Sequence, residues 1–173
     1  MTAPRTNTAG LFTFPPDIHW SDSIFDDMMV SRCAFYRREG TTDQYGNLVA
    51  IFEQIDIQTL TGLPLDMAPC LARHEKGKKL NTPTATVMTT SETSFGLADW
   101  VIFMRPVLVD DPPLRVSIEH WLQVLSPADL SAGAILADPN DANSGAIMYE
   151  IVDVINPAQM DHHIEIHATV REA

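Results

Sequence analysis

Three side chains near the end of the chain have the types that bind a transition metal. His163, Glu165 and His167 are separated by one residue each, and alternate residues of a β-strand point to the same face. Imidazole nitrogens and carboxylate oxygens on one face could present three ligands to zinc or iron. A cupin-like metal-binding β-barrel enzyme is therefore one interpretation of this sequence.

The spacing of these side chains argues against a metal. Same-face neighbours on one strand lie about 6.5 to 7 Å apart, and the outer pair is about twice as far apart. No matching motif surrounds the other histidines, His19, His74 and His120. We therefore predict no metal and interpret the segment as an amphipathic edge strand. Its polar outer face would carry the three candidate ligands, and its inner face would carry His162, Ile164, Ile166 and Ala168.

Nothing else in the sequence indicates catalysis. The chain has no GxSxG elbow, no GxxxxGK[ST] loop and no GxGxxG after a strand. Cys33 and Cys70 lack CxxC spacing, and we expect both to be buried thiols in a reducing cytoplasm rather than a disulfide. The acidic pairs at 26–27 and 110–111 stand at a predicted helix start and a proline turn, where they have structural roles. We predict that the protein is not an enzyme and uses no cofactor.

One basic cluster stands out in an acidic chain. Arg73, Lys76, Lys78 and Lys79, together with His74, occupy a segment that we predict to be a loop. Two interpretations are open for them: a solvated loop, or a contact with an anion, such as an acidic partner surface or DNA phosphate.

The first twenty residues are predicted to form an apolar N-terminal arm. Leu11, Phe12, Phe14 and Trp20 lie in it, and Pro15-Pro16 forbids a helix there. The arm either folds back on its own domain or docks on a neighbouring subunit, and the sequence favours neither. The serines and aspartate at 21–23 are able to cap a short helix through 26–27.

The rest of the chain has the pattern of β-strands. Strands are predicted at 33–36, ending in a polar break at 37–40, then at 48–57, 68–72, 84–90, 100–109, 115–125, 147–155 and 162–170. The turn residues at 43–47 predict a hairpin between the first two strands, and the loop at 156–160 predicts a closing hairpin. The segment 126–145 has no clear period, so we predict a surface excursion with at most one helical turn.

These elements predict an all-β fold, a small antiparallel β-barrel or sandwich with long loops and at most one or two short helices. At 173 residues, the chain fits an arm at 1–20 and a single β-rich domain at 21–173. The net charge of −12 repels nucleic-acid backbones. No run of about 20 apolar residues and no secretory signal is present, so we expect an untargeted protein without a membrane partner.

The order of these features resembles the head-tail connector proteins of tailed bacteriophages, particularly the head-completion or stopper subunits of the neck. The similarity lies in the strand at 33–38, the Asp43-x-Tyr45-Gly46-Asn47 turn, the second strand and the segment 69–73. The closing pair of segments, 149–154 and 162–166, is similar to the closing hairpin of that family.

The resemblance implies a homo-oligomeric ring in the virion neck, assembled in the host bacterial cytoplasm. Its partners would be the portal or adaptor and tail-terminator proteins, and double-stranded DNA would pass through it transiently and without sequence specificity. Such a ring joins the DNA-filled capsid to the tail and retains the genome until ejection. The alternatives are a tail terminator or other tail-ring subunit, the cupin-like metalloenzyme, and a ligand-binding β-barrel unrelated to phages.

Overall fold

The structure is a computed structural model, and it describes residues 26–79, 97–156 and 162–172. The described backbone forms eleven strands and almost no helix. The strands are β1 (Ser31–Thr42), β2 (Leu48–Ile55), β3 (Ile57–Thr59), β4 (Pro64–Leu65), β5 (Ala68–Lys79), β6 (Leu97–Met104), β7 (Val107–Val109), β8 (Leu114–Arg115), β9 (His120–Leu125), β10 (Ile147–Ile155) and β11 (Ile164–Glu172). Helix α1 (Pro127–Ser131) follows β9, and residues 26–28 form a helical turn before β1. The predicted all-β fold is confirmed.

Six strands close into a ring in which every pairing is antiparallel. The hydrogen-bonded order is β1, β5, β6, β11, β10 and β9, and β9 pairs with β1 again. Strand β2 pairs with β1 on the same edge as β5, further along β1. The short strands β4, β3, β7 and β8 form a separate sheet in that order. Among the described residues, no helix has the length and apolar character needed to cross a membrane.

Strand alternation fills the inside of this barrel. Cys33 and Phe35 of β1, Ile102 and Met104 of β6, and Ile166 of β11 are all fully buried in one cluster, which we call the inner core. Each pair is two residues apart, as one face of a strand requires. Ile164 and Ala168 join the same cluster, as predicted for the inner face of the last strand.

A second apolar cluster lies on the outside of the barrel. This outer core consists of Ala34, Tyr36, Phe52, Trp121 and Met148, from four adjacent strands. Ala34 and Tyr36 alternate with the inner-core residues of β1, so they occupy the opposite face of that strand. Leu136, from the excursion at 126–146, packs against the cluster. The excursion therefore covers an apolar outer face that would otherwise be exposed.

The first hairpin is confirmed, with a longer first strand than predicted. The Asp43 carboxylate accepts hydrogen bonds from the backbone N–H groups of Tyr45 and Asn47, both at 2.8 Å. Gly46 adopts a φ of +83°, which a glycine tolerates without strain. β1 runs through the predicted polar break at 37–40, because pairing with β2 continues to Thr42 and Leu48.

Three other expectations need correction. The last strand is not an edge strand, because β11 lies between β6 and β10. The basic segment at 73–79 is not a loop, because its backbone belongs to β5 and pairs with β6, with a bulge between His74 and Lys78. The predicted strand at 100–109 is two strands, broken at 105–106. The predicted strand at 84–90 lies outside the described residues.

The excursion at 126–146 contains one short helix, as predicted. Ser126 caps α1 by accepting a hydrogen bond from the Asp129 backbone N–H at 3.2 Å, while the Asp129 carboxylate accepts from the Ser126 N–H at 2.9 Å. This reciprocal capping fixes the start of the helix in the sequence itself. The predicted cap at 21–23, in contrast, lies outside the described residues.

Candidate interaction site

A groove lies beside the first hairpin, on the outer face of the barrel. It encloses about 630 Å³ and is lined by Arg38, Ala50, Phe52, Trp121, Asn140 and Glu150 among others. We call it the outer groove. Strands β1, β2, β9 and β10 supply its floor, and the excursion supplies one wall through residues 139–142.

The floor of the outer groove is aromatic. The Phe52 and Trp121 rings meet edge to face, with centroids 5.2 Å apart. The Arg38 guanidinium lies over the Trp121 ring, 5.3 Å from its centroid. Arg38 and Phe52 are opposite each other in the β1–β2 ladder, so their side chains share the outer face. An aromatic floor with a nearby cation provides large contact area to a partner at low conformational cost.

One wall of the groove contains the edge of β2 that has no strand partner among the described residues. The Asn140 amide binds both backbone groups of Phe52, accepting from its N–H and donating to its carbonyl, each at 2.8 Å. In an antiparallel strand, the N–H and C=O groups of one residue point to the same edge of the strand. The N–H and C=O groups of the residues two positions away point to that edge as well. The backbone groups of Leu48 and Ala50 therefore point away from β1, toward the groove side. Asn140 occupies this edge at Phe52 in the manner of a neighbouring strand.

The hairpin itself extends past the end of the barrel. Pairing between β1 and β9 ends at Arg37 and His120, so residues 38–42 have β2 as their only strand partner among the described residues. Apolar side chains on this projection are exposed: Leu48 is 86% exposed, Tyr45 81%, Ile51 43% and Val49 42%. The sequence correctly places Val49 and Ile51 on the same face as Ile55. Ile55 reaches the inner core, whereas the other two lie beyond it.

The candidate metal ligands do form a cluster around one carboxylate. His163 Nε2 lies 3.8 Å from Glu165 Oε1, and His167 Nε2 lies 3.9 Å from Glu165 Oε2. Within the described part of the chain, no group of three such side chains has the arrangement of a metal site. His167 is only 2% exposed. The predicted polar outer face is therefore partly buried, and Val101, the partner of His167 on β6, is fully buried as well.

The basic segment has two described side chains, those of Arg73 and His74, and both are exposed. The His74 ring meets the Trp100 ring edge to face, with centroids 5.1 Å apart. Arg73 lies beside a hollow of about 240 Å³ that Leu71, Phe103 and Met29 also line. Leu71 and Phe103 are cross-strand partners of β5 and β6. Of Lys76, Lys78 and Lys79, the structure describes the backbone in β5. The predicted arm contacts Leu11, Phe12, Phe14 and Trp20 lie outside the described residues.

The two cysteines are free and buried, as predicted. They lie on the paired strands β1 and β5, both in the inner core. A hydrogen bond with Cys70 and burial together raise the pKa of the Cys33 thiol well above its ordinary value. A neutral, buried thiol is a poor nucleophile, so the position of Cys33 suits packing rather than catalysis.

Sequence reasoning missed the outer groove, although a signal for it is present. Trp121 and Leu122 are consecutive and both buried, one in the outer core and one in the inner core. The run 33–36 is likewise buried at every position. Consecutive apolar residues in a strand indicate that both of its faces are covered. The partner that covers the second face, the excursion around Asn140, has no pattern that identifies it.

No protein-family model matches this chain, and no curated protein matches its sequence.

Proposed function

We propose that this protein is a structural subunit of the neck of a tailed bacteriophage. Copies of it form a ring that joins the DNA-filled capsid to the tail and retains the genome until ejection. The observation that carries the proposal is the hairpin of β1 and β2, which extends beyond a closed barrel with exposed apolar side chains. A stable barrel with a projecting apolar hairpin suits protein assembly, because such a surface is costly to leave in water.

The charge of the chain supports passage of DNA rather than binding to it. A net charge of −12 on 173 residues opposes contact with phosphates and offers no general affinity for the duplex. A ring with acidic walls lets a genome move without forming ion pairs that would hold it.

The proposal is tested in a phage from which the gene for this protein has been deleted. We expect DNA-filled heads that leak their genome and carry no tail, because a neck subunit acts after packaging. Electron microscopy and nuclease sensitivity of the DNA measure both properties. Empty heads, or infectious particles made without the protein, would contradict the proposal. Stable filled heads without tails would contradict the stopper role and place the protein at the end of the tail.

A matched pair of variants connects the phenotype to the hairpin. Val49→Asp with Ile51→Asp places charge on the projecting apolar face, and we expect loss of complementation in the deletion phage. The control is Leu63→Asp, at a leucine that is 64% exposed in the turn between β3 and β4. Both proteins should fold, because none of these side chains is buried. Full complementation by the hairpin variant would remove the observation on which the proposal stands.

A further inference from the structure

We propose that the outer groove binds the N-terminal arm of a second copy of this chain, as a strand added to the free edge of β2. This contact deepens the proposed ring, and in that respect it rests on the proposed function. It names the surface by which one subunit holds the next. Four features of the described residues and of the sequence support it.

The first feature is the edge itself. Backbone groups at Leu48 and Ala50 point away from β1, and the next such position, Phe52, is already bound by the Asn140 side chain at 2.8 Å through both of its backbone groups. An added strand can therefore bind the backbone groups of Leu48 and Ala50. At the next such position, Phe52, the Asn140 side chain takes the place of a strand. Extended peptides bind sheet edges in this way through main-chain hydrogen bonds.

The second feature is the match between the groove floor and the arm. Phe12 and Phe14 are two residues apart, so in an extended chain they point to the same side. The groove floor offers the rings of Phe52 and Trp121 on one face. Each proline of Pro15-Pro16 disfavours helical backbone at the residue before it, which favours extended backbone at Phe14 and Pro15. Aromatic side chains facing an aromatic floor provide the side-chain part of such a strand addition.

The third feature is charge. Residues 1–16 contain Arg5 and no aspartate or glutamate, in a chain whose net charge is −12. The groove carries the carboxylate of Glu150, and exposed Asp138 and Asp141 flank the wall residues 139 and 140. Arg38 is the one cation among the lining residues of the groove. A segment free of acidic residues suits this surface better than the rest of the chain does.

The fourth feature concerns which copy supplies the arm. The described chain begins with Asp26, whose carboxylate accepts a hydrogen bond from Arg105 Nε at 3.0 Å, at the start of β1. The groove begins at Arg38, about 23 Å further along β1 at about 3.3 Å per residue. Phe14 precedes Asp26 by 12 residues, and an extended segment of that length spans about 40 Å, so the arm of either copy can reach the groove. The proposed ring selects the arm of a neighbouring copy, because head-to-tail contacts of this kind close into rings.

The test uses full-length chains that each lack one half of the contact. Ala50→Pro removes the N–H that points away from β1 and leaves the β1 ladder intact, a position where an edge strand tolerates proline. Ala50→Ser keeps the N–H and serves as its control. The arm variant is Phe12→Asp with Phe14→Asp. Sedimentation velocity measures self-association, and circular dichroism verifies that each variant is folded. Should Ala50→Pro fail to fold, Leu48→Pro blocks the same edge.

We expect Ala50→Pro and the arm variant to weaken self-association by at least about tenfold each, and Ala50→Ser to leave it unchanged. Mixing the two defective chains should restore dimers, because one retains an arm and the other retains a groove. Two defective chains that stay apart on mixing would show that the arm binds its own barrel. An arm variant that associates normally would show that the groove has another occupant. Either result would overturn the inference, whereas the neck assignment depends separately on the filled-head phenotype.

Discussion

The inner core and the outer core are both apolar, but they are closed in different ways. The inner core is closed by the ring of six strands, whose alternate side chains meet inside the barrel. The outer core is closed by the excursion at 126–146, which has a single five-residue helix. The excursion is held by polar contacts: Tyr36 donates to Gln123 Oε1 at 3.1 Å, and Gln123 donates to the Ala137 carbonyl at 3.2 Å.

Because the two cores are closed differently, we expect them to have different roles. Interlocked strands bury the inner core almost completely, with Phe35, Ile102 and Leu122 at 0% exposure. The excursion leaves the outer groove open beside Phe52 and Trp121, which are 9% and 8% exposed. Closure by a loop with a few hydrogen bonds leaves room for a partner, whereas closure by a barrel does not. The inner core therefore accounts for stability, and the outer core is the region where binding is expected.

The largest expected effect compares the same substitution in both regions. Phe35→Ala should lower the free energy of unfolding by about 3 to 5 kcal/mol, because it leaves a cavity that the barrel cannot fill. Phe52→Ala should cost clearly less, since Phe52 is 9% exposed and lines the groove, where water replaces the lost ring. Urea denaturation of both variants measures the difference. Equal losses would mean that the outer core is as tightly closed as the interior.

The sequence predicts individual strands and turns better than it predicts contacts between segments that are distant in the chain. Asp43, Gly46 and Asn47 predict the first hairpin because the turn is built from their own hydrogen bonds. Asn140 could not be connected with Phe52, because 88 residues separate them in the chain. No local pattern encodes such a contact, since the fold alone brings the two together.

The same distinction explains the errors at the end of the chain. Alternation correctly placed Ile164 and Ile166 inside. It could not show that β6 and β10 flank the strand on both sides, because strand order depends on the other strands. Alternation also gave no indication that His167, on the face predicted to be polar, is only 2% exposed. The basic segment at 73–79 was predicted to be a loop from its polarity, but its backbone bonds to β6 make it a strand.

An intermediate effect is expected where the excursion is attached to the barrel. Asn140→Ala removes both hydrogen bonds to Phe52, and we expect a loss of about 1 to 2 kcal/mol in stability. Amide hydrogen exchange should rise in the excursion and at Phe52, and stay unchanged in β6 and β11. Asn143→Ala is the matched control, because Asn143 is an exposed asparagine of the same excursion. If exchange rises equally across the barrel, the excursion and the inner core unfold as one unit.

The smallest expected effect lies at the rim of the inner core, where Arg37 forms an ion pair with Asp110. Arg37 follows Phe35 on the inner face of β1, and Asp110 stands in the left-handed region with a φ of +79° in the turn after β7. Hydrogen bonds from Arg37 and from the Asp111 backbone lower the pKa of the Asp110 carboxyl. A lowered pKa in the folded state means that the ionised carboxylate stabilises the fold. That stabilisation is complete above the unfolded pKa, about 3.9, and is lost as the pH falls through the folded value.

Asp110→Asn removes this titration while keeping a residue that tolerates the left-handed backbone. The variant should therefore be less stable than the wild type at pH 7, by less than Asn140→Ala, and the difference should shrink as the pH falls from about 4 toward 2. Urea denaturation at pH 7, 4 and 3 measures it. Arg37→Gln should give the same pH dependence, and the double variant should be no worse than either single one, because all three lack the same ion pair. A difference that is constant across this pH range would mean that the rim is held by the turn's backbone rather than by the charge on Asp110.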